Sequence, residues 1–98
     1  MATVVHLGDE RSAAGLRLAG VLSRVPAPGT EAEALAQARQ GAVLVLLDAG
    51  VAARLPPALL REAAAALSPL LLVLPDVDGR VPVPDIAERL RTQLGLSA

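Results

Sequence analysis

Three uninterrupted apolar runs constrain the fold of this chain more than any other feature. They are rich in Val and Leu and occupy residues 3–7, 42–47 and 70–74. Runs without polar alternation that are bounded by Gly, Asp or Pro are typical of strands buried on both faces, as in a parallel sheet covered by helices. A shorter run at residues 21–25 carries Arg24 and ends at Pro26, so we place it at an edge of the sheet.

Helical patterns fill the intervals between these runs. We predict helices at residues 10–18, 30–40 and 57–67, and a turn or short helix at residues 49–54. In the second helix Thr30 is the expected N-cap and Glu33 its capping-box partner, and the apolar stripe consists of Ala34, Leu35 and Ala38. Alternating strands and helices with right-handed crossovers predict an α/β domain whose four-stranded parallel sheet has the order 2-1-3-4, with a receiver-like or flavodoxin-like architecture.

The C-terminal part of the sequence has a different character. Residues 76–84 are rich in Pro, Asp and Gly, which predicts a linker, and Asp85 is the expected N-cap of a final helix. Its apolar edge consists of Ile86, Leu90 and Leu94. We therefore divide the chain into an α/β part at residues 1–75 and a linker and amphipathic C-terminal helix at residues 76–98, within one structural unit. Periodicity alone leaves open whether this helix packs on the sheet or binds a partner helix.

Composition narrows the functional classes. The chain has 98 residues, no Phe, Tyr or Trp and a formal net charge of −1. It therefore lacks both the aromatic side chains that stack on bases and the positive charge that attracts nucleic acid. All nine basic residues are Arg, and the absence of Lys and Cys excludes lysine and thiol chemistry. The N-terminus does not match a signal peptide and the most apolar stretch, residues 63–74, is shorter than a membrane span, so we expect a cytoplasmic protein.

An acidic edge of the sheet is the sharpest chemical possibility. Asp9 and Glu10 follow the first strand, Asp48 follows the third and Asp76 follows the fourth. Carboxylates at the corresponding edge of receiver domains bind Mg²⁺ and accept a phosphoryl group. A receiver also uses a lysine and a hydroxyl residue, whereas this chain has no Lys and carries Pro75 before Asp76. The alternative is that these carboxylates cap helix N-termini.

No other residue pattern indicates catalysis. His6 is the single histidine and lies within the first strand without a Cys, Ser or Asp partner at motif spacing, so we interpret it as a packed or hydrogen-bonded strand residue. The serines fit no nucleophile pattern, and Gly8 and Gly15 do not match a phosphate-binding loop. We therefore predict no catalytic residues, no bound metal and no cofactor.

Two short strings at the start of the chain resemble the opening of the F subunit of V/A-type rotary ATPases. These are GDE at residues 8–10 and GLRLAG at residues 15–20, where Leu16 stands in place of the Phe that is usual in the family. The string LVLPD at residues 72–76 is similar to the family's apolar strand that ends in Ile-Pro. The similarity in layout covers nearly the whole chain, although the charged middle helices of the family are replaced here by Ala, Leu and Arg.

The resemblance implies a non-catalytic subunit of the central rotor stalk, attached to the membrane only through the complex. It implies binding to the long coiled coil of the stalk, which is formed by the D subunit and is called the coiled-coil subunit below. It also implies transmission of torque to or from the membrane ring, and modulation of ATP hydrolysis coupled to proton or sodium transport. The candidate interface comprises Arg17 of the opening motif, Ile86, Leu90 and Leu94 as apolar contacts, and Arg89 and Arg91 as rim charges. The alternative is a degenerate receiver-like signalling or protein-interaction domain.

Overall fold

A computed structural model of the chain describes residues 3–75. Within this range strands and helices alternate as the sequence predicts. The elements are β1 Val4–Leu7, α1 Glu10–Leu18, β2 Leu22–Arg24, α2 Glu31–Gly41, β3 Leu44–Asp48, α3 Ala49–Arg54, α4 Pro57–Ala65 and β4 Leu70–Leu74. The predicted linker, the C-terminal helix and Asp76 lie outside the described residues.

The four strands form one parallel sheet in the order β2-β1-β3-β4, which confirms the predicted topology. The central pair is in register from Val4 opposite Leu44 to Leu7 opposite Leu47. The short strand β2 lies at one edge, as its length and its arginine predict, and β4 lies at the other. None of the helices in residues 3–75 is both long and apolar enough to cross a bilayer.

The central strands are buried on both faces because their apolar side chains point alternately into two separate hydrophobic cores. Val5, Leu7, Val45 and Leu47 point toward the core that α2, α3 and α4 complete. On the opposite face, Leu44 and Leu46 pack with Leu16 of α1. The strand β4 is different, since Leu70 and Val73 are about half exposed and only Leu74 is buried. Its apolar run is as continuous as that of β3, but its position at the edge leaves it partly uncovered.

The predicted capping box of α2 does not form. Thr30 is the N-cap residue, yet its hydroxyl donates to the carbonyl of Ala27 (2.7 Å) in the preceding turn and makes no bond to the helix. The buried side chain of Glu31 instead connects the start of the helix to the preceding turn, because its carboxylate accepts a hydrogen bond from the backbone N–H of Gly29 (3.0 Å). The expected stripe is present, with Leu35 and Ala38 buried.

Helix α4 is shorter than predicted. It ends at Ala65 and not at residue 67. Pro69 follows closely, and a proline disfavours helical backbone at the residue before it, which is Ser68 here. The helix therefore ends before Ser68 and Pro69. Leu67 is therefore left in the connection to β4, where its side chain is 92% exposed.

Candidate functional site

The carboxyl ends of β1 and β3 lie side by side at the place in the sheet where the connections leave in opposite directions. From β1 the chain continues to β2 on one side, and from β3 it continues to β4 on the other. Such a switch point is where open α/β sheets form a crevice. Here the crevice has a volume of about 80 Å³ and is lined by Asp9, Ser12, Asp48, Gly50, Val51, Arg54 and Pro75. That volume is far below the several hundred Å³ of typical small-molecule sites.

Three polar side chains from adjacent strands form a line beneath this crevice. His6 Nε2 donates to Asp48 Oδ1 (2.7 Å), and His6 Nδ1 lies 3.2 Å from Ser23 Oγ. His6 and Ser23 are register partners in β1 and β2, so their side chains share a face of the sheet. The expectation that His6 is a hydrogen-bonded strand residue is confirmed, and its two side-chain partners are now identified.

The second oxygen of the Asp48 carboxylate is also occupied. The backbone N–H of Asp9 donates to Asp48 Oδ2 (3.1 Å). Burial by itself raises the pKa of Asp48, but the hydrogen bonds from His6 and from the Asp9 N–H outweigh that effect, and the pKa lies below its usual value. The carboxylate is therefore ionised at neutral pH, and His6 Nε2 must carry the proton because an ionised carboxylate only accepts.

The line from Ser23 to Asp48 presents the wrong end for nucleophilic catalysis. In a Ser-His-Asp triad the serine hydroxyl faces the substrate and the carboxylate is buried behind the histidine. In this protein Ser23 and His6 are buried, and the Asp48 side chain, 17% exposed, is the part that reaches the crevice. The hydrogen bonds orient the Asp48 carboxylate at the crevice and favour its ionised form. The hydroxyl of Ser23 is not presented to the crevice.

Gly8 is what allows this carboxylate to lie so close to β1. A Cβ atom built on Gly8 would overlap the Asp48 carboxylate and would lie 2.6 Å from His6 Nε2. The glycine at this turn therefore has a steric explanation, since any larger residue would displace one of the two partners. No motif spacing in the sequence points to this contact, because Gly8, His6 and Asp48 come together only in the assembled sheet.

The predicted acidic edge is assembled only in part. Asp9 and Asp48 lie together, but the Asp9 side chain caps α1 by accepting from the N–H of Ser12 (2.8 Å). Glu10 is exposed and pairs with Arg17 (3.1 Å) along the helix. Helix capping is thus the correct explanation for Asp9, whereas Asp48 precedes α3 without making a side-chain cap bond. Within residues 3–75 no group of three His, Asp or Glu side chains is placed to hold a metal ion.

Arg17 is the one candidate interface residue in the described part of the chain. Its side chain is about half exposed, and its guanidinium donates to Glu10 and to the carbonyl of Ser23 (3.2 Å). It therefore joins α1 to β2, which leaves only part of its surface for a partner. The remaining candidate residues lie outside the described range: Ile86, Arg89, Leu90, Arg91 and Leu94.

Arg54, which lines the crevice, also forms an ion pair. Arg54 Nε donates to Glu31 Oε2 (2.7 Å), which links the end of α3 to the start of α2. This hydrogen bond is the largest of the effects that hold the pKa of Glu31 below its usual value, and the N–H of Gly29 lowers it further.

We expect Arg54→Gln to raise the pKa of Glu31 toward its ordinary value, because the main group that favours the ionised carboxylate is removed. A pH titration of the side-chain carboxyl carbons by NMR measures this. Arg61→Gln, in the middle of α4, is the matched control. An unchanged Glu31 titration in Arg54→Gln would contradict the assignment of Arg54 as its main partner.

Comparisons of the chain with models of known protein families, with curated proteins and with solved structures found no significant match.

Proposed function

We propose that this chain is a non-catalytic central-stalk subunit of a V/A-type rotary ATPase, corresponding to the F subunit, and that it binds the coiled-coil subunit of the stalk. In this role it helps transmit torque or modulate ATP hydrolysis coupled to proton or sodium transport. The proposal places the protein in the cytoplasm, peripheral to the membrane and held there by the complex.

The observation that carries the proposal is the first strand-helix unit, where the family-like strings occupy defined structural positions. Gly8 accommodates Asp48, and Asp9 caps α1. Leu16, which replaces the usual Phe, is fully buried between α1 and the sheet. Gly20 ends the GLRLAG string with a φ of 86°, a conformation that favours glycine. The resemblance therefore rests on residues that build the fold.

The state of Asp48 favours this proposal over the receiver alternative. Each oxygen of Asp48 accepts a hydrogen bond within the fold, from His6 or from the Asp9 N–H, so this carboxylate has a structural role in joining β1 to β3. The lysine that a receiver uses is also missing from the chain. Incubation with acetyl phosphate and Mg²⁺ followed by intact-mass measurement distinguishes the two, since only a receiver would show phosphorylation that Asp48→Asn abolishes.

Co-expression with the coiled-coil subunit of the same organism tests the proposal directly. We expect a stable one-to-one complex in size-exclusion chromatography with light scattering. Detection by refractive index is needed because the chain has no Trp or Tyr. Elution of two separate proteins would overturn the stalk assignment and would bring the receiver alternative forward.

Leu90 is our main candidate for contact with the coiled-coil subunit through the C-terminal helix. We expect Leu90→Asp to weaken binding by about tenfold or more, the effect typical of losing a buried apolar anchor from an interface. Circular dichroism should show an intact fold. Ala58→Asp is the control, because it adds the same charge at an exposed site in the first turn of α4, where a helix favours it. Unfolding of Leu90→Asp would instead place Leu90 in the core.

A further inference from the structure

We draw no further inference here: the strongest candidate, the patch of exposed apolar side chains at the amino ends of the strands, where Leu18, Leu22, Val43, Leu67 and Leu70 lie, carries none because nothing in residues 3–75 shows what covers it.

Discussion

Gly8→Ala should lose several kcal/mol of its free energy of unfolding, more than any other single methyl addition that we consider. The new Cβ would overlap the carboxylate of Asp48 and would approach His6 Nε2 to 2.6 Å. Forcing an extra carbon into a packed site costs ~1–3 kcal/mol. If the Asp48 side chain moves aside, the fully buried His6 loses its partner, which costs a further ~1–3 kcal/mol. Domains of this size have a total stability of only about 5–15 kcal/mol.

Gly41→Ala is the matched control for this substitution. Gly41 lies at the end of α2, and a Cβ built on it meets no atom within 4 Å. Adding a methyl group there should be neutral or stabilise the protein by up to ~1 kcal/mol, because alanine favours helix and restricts the unfolded chain. Urea unfolding followed by circular dichroism measures both variants, since the chain has no aromatic residue for fluorescence. Equal stability of Gly8→Ala and Gly41→Ala would contradict the steric role of Gly8.

A second substitution separates the clash from other effects of alanine. When Asp48 is replaced by Ala, the carboxylate that the Gly8 methyl group would meet is gone. Gly8→Ala should therefore cost clearly less in the Asp48→Ala background than in the wild type, and the difference is the coupling energy of the pair. Additive effects would show that the clash with Asp48 does not account for the loss.

The topology could be predicted from sequence because it depends on patterns that are local. The strands β3 and β4 are continuous apolar runs, β1 is a run interrupted only by His6, and the helical intervals between the strands force parallel connections. The bounds of α1 are those predicted, since Asp9 caps its start and Gly20, with a φ of 86°, follows its end. The predicted capping box of α2 was wrong because the Ala27 carbonyl competes for the Thr30 hydroxyl, and that competitor depends on the exact shape of a turn.

The polar line under the crevice could not be predicted from spacing. His6 faces Leu46 in the register of β1 and β3, and Asp48 follows two residues later on the same face, just past the apolar run. Ser23 meets His6 only because β2 pairs with β1 in one particular register. A shift of one residue in either pairing would turn these side chains to opposite faces. The sequence shows one histidine and several acidic residues; the register decides which of them touch.

Asp48→Asn should have the second largest effect and should alter the acid dependence of stability. An amide keeps the shape of the side chain but not its charge, so the buried His6 exchanges a charged partner for a weaker neutral one. Hydrogen bonds to charged groups contribute about 1.5–3 kcal/mol, and we expect a loss of up to this size at neutral pH. Glu62→Gln, an exposed carboxylate on α4, is the control and should unfold like the wild type.

The pH dependence of this effect is a sharper test than the loss of stability of Asp48→Asn at neutral pH. The pKa of Asp48 is lower in the folded protein than the ordinary value of 3.8, so the unfolded chain binds the proton more readily. The stabilisation from the carboxylate is therefore complete above that ordinary value and is lost as the pH falls through the lowered folded value. The difference in stability between wild type and Asp48→Asn should accordingly be present at a pH of about 5 and shrink as the pH falls below 3.8, measured as urea midpoints by circular dichroism. A difference that stays constant over this window would show that the carboxylate charge does not stabilise the fold, and that Asp48 acts through shape alone.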